Sequence, residues 1–550
     1  MARLTGGELV ARSLAREGVE HMFCLHGGHI DPILRAAHEQ GIRLVDTRHE
    51  EAAAHAASAY SLVKGKPGVV CVTAGPGVTN HVTGMANAFL AGSPVLSVCA
   101  SSPLGEIDRG VEQDIDQLSI LKPITKWART AHSVERIPEY MAMAFRELHG
   151  GKPGPVFLQI PTDTLFEEIE ESEVAFPERY RPEGRVLGDP GMIERAVDLL
   201  SKAERPLAVV GSGGCLARAG DELRQLVETL HIPLLSCNAG RGVLPDSHPL
   251  SFGSYLPISL SPAAIALNMA DCVLVLGTRF NKFFAYGYLI GEDARVIQVD
   301  IDPTEIGRNR AVDLGIVGDV REVLRQMNSL ATAKAAPAEW IRMLEGFQAS
   351  RFEEMKPMLT SSNVPIHPFR LVYDIKQFLG EASIVVCDGG EISVTAGCVM
   401  GANGYGSLLG HSPLGDLGIG IPYGIGAKIA CPERAVLVVS GDGSFGFNAM
   451  EFDTAVRNGI PFVTVVANDQ AWGMCKHFQE LKYGRGRYVA TLLGATRYDK
   501  VVEALGGHGE LVTEPGEILP ALDRAFQSGL PACVNVMTDP DYISEATAFE

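Results

Sequence analysis

The chain has no Cys-x-x-Cys pair, no excess of basic charge and no long apolar run, and each absence narrows its function. Its 11 cysteines stand singly from Cys24 to Cys533, as expected for reduced thiols in a cytoplasm, most of them acting as small core residues. Acidic residues outnumber basic ones by 66 to 47, giving a net charge of -19, which argues against nucleic acid or an anionic membrane as a general partner. No stretch reaches the roughly eighteen apolar residues that span a bilayer. The N-terminus lacks a basic segment followed by an apolar one, and Thr5-Gly6-Gly7-Glu8 instead reads as a capping box opening a helix through Leu14. No short-period repeat is present. Val210-Gly211-Ser212-Gly213-Gly214 lacks a full Gly-x-Gly-x-x-Gly, so it reads first as a strand-ending turn and second as an ADP-binding loop. The expectation is a cytoplasmic protein without a membrane or nucleic-acid partner.

What the chain does have, in 550 residues that are 46% hydrophobic and 21% charged, is a recurring alternation of short apolar runs with helical patterns. The runs His21 to Leu25, Arg43 to Val45, Val69 to Val72, Pro94 to Cys99 and Val156 to Ile160 form one set. Leu207 to Val210, Pro233 to Ser236, Cys272 to Leu276 and Val296 to Val299 form a second, and Ile384 to Cys387, Val436 to Val439, Phe462 to Val466 and Ala532 to Val536 a third. Continuous apolar strands between helices predict an α/β chain of three doubly wound parallel-sheet domains. The boundaries drawn are 1–170, 188–330 and 366–550, with 331–365 as a long connection.

Ligands of such sheets bind beyond the carboxyl ends of the strands. After one apolar run comes Gly441-Asp442-Gly443-Ser444, and after the next comes Asn468-Asp469. Alone, the first is an ordinary turn; with a carboxylate returning at the next strand tip, it becomes half of a phosphate-and-metal site. Asp388-Gly389-Gly390-Glu391 and Thr73-Ala74-Gly75-Pro76-Gly77 also follow strands, and His49-Glu50 opens an alanine-rich helix running to Tyr60. By itself that last feature is a helix start with acids in its first turn.

Together these stretches resemble the signature of thiamine diphosphate (ThDP) enzymes. The resemblance implies pyrimidine-binding, central and diphosphate-binding domains. It assigns Asp442, Asp469 and the backbone of Ala471 to Mg2+, although Asp469 departs from the commoner Asn. It assigns Thr73, Gly75, Gly389, Gly390, Glu391, Gly441, Gly443 and Ser444 to the cofactor, together with the Gly415 carbonyl and the Leu417 wedge of Gly415-Asp416-Leu417-Gly418. Glu50 is implied as the carboxyl group that hydrogen-bonds the aminopyrimidine and activates the thiazolium proton. A homodimer or homotetramer with active sites at subunit interfaces is also implied.

Within the acetolactate synthase-like superfamily, Cys24-Leu25-His26-Gly27-Gly28-His29 together with Gln113, Asp116-Gln117 and Pro123-Ile124-Thr125-Lys126-Trp127 resembles benzaldehyde lyase. That resemblance implies a carbon–carbon lyase and carboligase acting on 2-hydroxyketones and aldehydes. His29 would transfer a proton on the substrate hydroxyl and Gln113 would orient it. His26, Gly28, Glu112, Thr162, Ser393 and Met474 would line a pocket more polar than that family's. The alternatives are a 2-hydroxyacyl-CoA lyase taking an acyl-CoA, an acetolactate synthase-like 2-keto acid decarboxylase or ligase, and a catalytically silent ThDP-binding relative.

Overall fold

The computed structural model describes residues 3–254 and 262–548. The described residues fall into two compact units, and three six-stranded sheets are distributed between them.

The first unit comprises residues 3–183, 411–433 and 448–461. Its strands are β1 (Arg3–Thr5), β2 (His21–Leu25), β3 (Arg43–Asp46), β4 (Gly68–Val72), β5 (Val95–Ser101), β6 (Trp127–Thr130), β7 (Val156–Pro161) and β8 (Glu168–Glu170). Six of them form a parallel sheet in the order β3-β2-β4-β5-β7-β6. Thr5 caps the helix Gly6–Arg16, with both arms of the capping box formed to Glu8. β8, beyond the last apolar run of the first set, pairs antiparallel with β1. A three-residue ladder is too short to leave a periodic signal.

The alanine-rich helix Glu50–Lys64 is buried over nearly its whole length. Its small side chains let neighbouring backbones come close: a Cβ at Gly426, in the helix Gly420–Ala430, would collide with the Ala56 carbonyl oxygen.

The second unit comprises residues 184–254, 262–410, 434–447 and 462–548. Its first sheet has the parallel order β11-β10-β9-β12-β13-β14, from β9 (Pro206–Val210), β10 (Leu234–Ser236), β11 (Ser251–Ser254), β12 (Cys272–Leu276), β13 (Arg295–Asp300) and β14 (Leu314–Val317). Ala208, Val210, Leu274 and Ile297 face one apolar cluster, while Leu207, Val209, Val273 and Val296 face another. Burial of alternate residues on both faces is why these strands read as unbroken apolar runs. The helix Ala338–Leu359 docks beside this sheet through buried Trp340, whose indole N–H donates to the Pro206 carbonyl at 2.9 Å.

The other sheet of this unit has the order β16-β15-β17-β18-β20-β19, from β15 (Ile384–Asp388), β16 (Leu408–Gly410), β17 (Val436–Gly441), β18 (Val463–Asn468), β19 (His508–Val512) and β20 (Ala532–Met537). Register places Asp388 level with Ser440 and Gly441 level with Ala467. The loops after β15, β17 and β18 therefore leave the same sheet edge side by side. Among the described residues, no helix is long and apolar enough to cross a membrane.

Candidate functional site

In the first unit, the parallel register aligns Cys24 with Asp46 and Leu25 with Val72, so the loops after β2, β3 and β4 leave together. His29 Nδ1 lies 3.2 Å from the Thr73 hydroxyl, and a Cβ at Gly27 would strike the same threonine. Gly75 sits at φ +61, and any side chain there would overlap Gln113, so only glycine allows this approach. Gln113 is itself left-handed at φ +65, and its buried Oε1 has no hydrogen-bond partner. Strain and an orphaned acceptor in one loop residue mark a position maintained for something other than local stability.

The Gly75 N–H donates to Gln117 Oε1 at 3.2 Å, while Gln117 Nε2 donates to the Ala100 carbonyl at 2.6 Å. Thr162, just after β7, donates to the Ser101 carbonyl at 2.8 Å. His26 pairs with Asp31 at 3.0 Å on the exposed side of the loop, Gly28 is exposed, and so is Glu112.

Glu50 is 6% exposed as the first residue of its helix, and Oε2 accepts from Asn80 Nδ2 at 3.0 Å. Asn80 is a partner that the sequence motif did not assign; its signal was its place at the end of the Thr73 loop. Gly415 and Leu417 also belong to this unit. Gly415 closes a turn with its N–H on the Ser412 carbonyl at 3.0 Å, and Leu417 is half-buried. Between them, Asp416 places Oδ2 at 3.5 Å from Nε2 of fully buried His55.

In the second unit, the candidate residues after β15, β17 and β18 converge. Gly389, at φ +109, packs where a Cβ would come within 3.1 Å of the Gly441 N–H and 3.2 Å of the Ser444 hydroxyl. Gly390 lies against Met474, and Gly443 lies against the Trp472 ring. Ser393 donates to the Gly389 and Gly390 carbonyls at 2.6 and 2.8 Å, fixing the loop from below.

Burial and the charge of Asp469 push Asp442 well above the usual carboxylate range. Asp469 is also raised, chiefly by burial. Asp442 Oδ2 is buried without a partner. The Asp469 turn is fixed by the Ala471 N–H on Asp469 Oδ1 at 3.1 Å and by Asn468 Oδ1 accepting from the Gln470 N–H at 3.2 Å. Two mutually interacting buried acids, with one oxygen orphaned, form a donor set suited to a hard divalent cation. The other positions would fall to backbone, phosphate and water oxygens. The side-chain-free walls at Gly389, Gly390 and Gly441 fit a diphosphate beside it.

Glu391 has a further set of contacts. Oε2 faces His477 Nδ1 at 2.7 Å, and Oε1 accepts from the Ser544 N–H at 3.1 Å and the Thr547 hydroxyl at 2.5 Å. The Gly211–Gly214 loop is closely packed: Gly211 lies against Thr278, and Gly213 against the Gly277 backbone. Its glycines thus have a packing role that accounts for them as a strand-ending turn.

Comparison with known proteins agrees with this geometry. The description "Thiamine pyrophosphate enzyme, N-terminal TPP binding domain" matches residues 4–120, the central domain of the same family matches 193–327, and its C-terminal TPP binding domain matches 388–536. A probable acetolactate synthase of Mycobacterium bovis is 37% identical over 537 residues, covering 97% of this chain and 96% of the relative. A 2-hydroxyacyl-CoA lyase of Arabidopsis thaliana is 33% identical over 556 residues, covering 98% and 96%. The 2-hydroxyacyl-CoA lyase 2 of Homo sapiens is 32% identical over 578 residues, covering 97% and 90%. With all three domains present in order and relatives aligned along nearly its full length, the chain belongs to the thiamine diphosphate-dependent enzymes of the acetolactate synthase-like superfamily, which act on carbon–carbon bonds.

Proposed function

We propose that the chain is a carbon–carbon lyase and carboligase acting on 2-hydroxyketones and aldehydes, in the manner of benzaldehyde lyase but with a more polar pocket. The observation that carries this reading is the pairing at the Thr73–Gly75 loop. His29 is held at Thr73 through Nδ1, with Nε2 unpartnered among the described residues, and a strained Gln113 whose Oε1 is unsatisfied packs against Gly75 of the same loop. An imidazole held at one nitrogen is suited to moving a proton on a substrate hydroxyl with the other, and an unsatisfied amide is suited to orienting that hydroxyl.

Asp442, Asp469 and the Ala471 backbone would hold Mg2+. Gly389, Gly390, Glu391, Gly441, Gly443 and Ser444 would line the diphosphate, Gly415 and Leu417 would hold the rings, and Glu50 would hydrogen-bond the aminopyrimidine. When bound, ThDP supplies the nucleophilic carbon and the electron sink. The proposed assembly is a homodimer or homotetramer in which different subunits supply the pyrimidine and diphosphate halves of each active site.

A second reading, 2-hydroxyacyl-CoA lyase, is favoured by relatives of that name aligned over 98% of the chain. The acetolactate synthase relatives support a 2-keto acid reaction in the same way. A cleavage and carboligation panel with ThDP and Mg2+ over short aldehydes, hydroxyketones, 2-keto acids and 2-hydroxyacyl-CoAs separates the three. Turnover confined to the CoA thioesters or to the keto acids would overturn the first reading.

A further inference from the structure

Glu50 begins its helix immediately after a turn that offers two peptide N–H groups, those of Arg48 and His49. Both donate to one buried carboxylate on the helix Glu451–Asn458, which belongs to the same unit. Glu451 Oε1 accepts from Arg48 N at 3.0 Å and from His49 N at 3.0 Å. Its Oε2 accepts from Arg48 N at 3.1 Å and from the Thr454 hydroxyl at 2.6 Å. Glu451 is 1% exposed.

The same helix face continues the attachment. Thr454 lies 3.5 Å from the Asp46 carbonyl, Arg457 makes two 2.9 Å contacts with the Asp46 carboxylate, and the Asn458 carbonyl accepts from Arg43 at 2.7 Å. Residues at this spacing line one side of a helix. The helix is therefore docked lengthwise against the strand and turn that end at Glu50.

We propose that Glu451 is the positioning residue for Glu50: its carboxylate fixes the Arg48 and His49 peptides and through them the direction in which Glu50 presents its own carboxyl group. Asn80 donates to the Glu50 side chain, and Glu451 holds the two peptide N–H groups that precede Glu50. This rests on the reading of Glu50 as the group that engages the aminopyrimidine.

The chemistry of the donors makes the arrangement sensitive to protonation. Peptide N–H groups only donate, so a proton added to Glu451 removes an acceptor, and only the Thr454 hydroxyl can turn to receive it. Burial pushes Glu451 up to about 7, while the Thr454 and peptide hydrogen bonds and the Arg457 charge act in the opposite direction. The charged groups around it are Arg457 and Asp453 on its own helix and Arg48, His49 and Asp46 on the segment that it holds. The helix Gly420–Ala430 also packs against it and contributes Tyr423 and Lys428 as titratable groups.

The test is the rate of C2 proton exchange in bound ThDP, read by NMR after acid quench from about pH 5.5 to about pH 8.5, alongside ThDP affinity from tryptophan fluorescence. Wild type, Glu50→Gln, Glu451→Gln and Thr454→Val are compared. Exchange in the wild type should rise through an acid limb near 7. Thr454→Val removes a hydrogen bond to the charged form, so its limb should move to higher pH. Glu451→Gln should lose the limb and exchange about tenfold more slowly, with ThDP affinity within about twofold of wild type. A purely structural role would instead lower affinity and rate together.

A limb unmoved in Thr454→Val, or wild-type exchange in Glu451→Gln, overturns the inference; the threonine variant carries the test if the glutamine variant fails to fold. Exchange in the wild type no faster than in Glu50→Gln would instead overturn the underlying reading of Glu50.

Discussion

His477 and Glu391 face each other at 2.7 Å, and the other imidazole nitrogen lies 2.8 Å from the Pro540 carbonyl. A carbonyl only accepts, so Nε2 carries a proton; Nδ1 then faces a carboxylate, and the pair is satisfied by an imidazolium. Burial opposes that charge, but the Glu391 hydrogen bond and charge outweigh it and raise the His477 pKa above the ordinary histidine value. The stabilisation is therefore complete below the ordinary histidine range and is lost as pH rises through the raised value. Because Glu391 also holds the Ser544 N–H and the Thr547 hydroxyl, protection of the 540–547 amides, corrected for intrinsic rate, should fall with rising pH in hydrogen-exchange mass spectrometry. In His477→Gln that pH dependence should disappear.

Asp442 and Asp469 are pushed toward their uncharged forms instead: burial dominates both, the Asp469 charge adds to it at Asp442, and the His477 charge that lowers Asp469 does not outweigh burial. Both are raised, so ionising the pair costs stability: the apo protein should lose stability as pH rises through the raised values, and Mg2+ should restore it. Mg2+ binds the ionised carboxylates, which the raised pKa values disfavour at low pH, so its affinity measured by calorimetry should increase with pH. Asp469→Asn should weaken it by at least about tenfold. An unchanged affinity would shift the binding to Asp442 and the backbone.

The fold was legible in the sequence where strands are central and buried on both faces. β9, β12, β17 and β18 are buried at every position or all but one, and each appears as an apolar run. Of the strands that escaped the sequence reading, β6, β11, β14, β16 and β19 are the outermost members of their sheets, and β1 and β8 pair only with each other. An edge strand is short and half-wetted, as the Glu-containing β19 shows with only Val512 buried, so it leaves no continuous run. The same difference governs the site. Residues immediately after central strands could be read as candidates, but Glu451 and His477 sit inside helices, where nothing distinguishes them from solvated charges until the helix face is known.

His29 provides the direct test of substrate chemistry. His29→Ala should lower the turnover of hydroxyketone cleavage by about a hundredfold or more, while C2 proton exchange in bound ThDP remains fast, because that step is assigned to Glu50. Equal losses in both measurements would mean that the substitution disturbs the Thr73 loop, which His29 contacts at 3.2 Å, rather than removing a proton-transfer group.

Gly426 tests the packing beneath the Glu50 helix. A Cβ there would overlap the Ala56 carbonyl oxygen, and backbone cannot yield as a flexible side chain can. Both helices are buried and closely packed, so Gly426→Ala forces their axes apart despite adding only a methyl group. The expected loss is about 1–3 kcal/mol in denaturant unfolding, larger than the helix-propensity gain of about 1 kcal/mol that alanine normally brings over glycine. Separating these helices would also move the Glu50–Lys64 helix on which Glu50 is the first residue. ThDP C2 exchange should therefore fall along with stability, whereas a stabilised Gly426→Ala protein would show that the two helices have room to adjust.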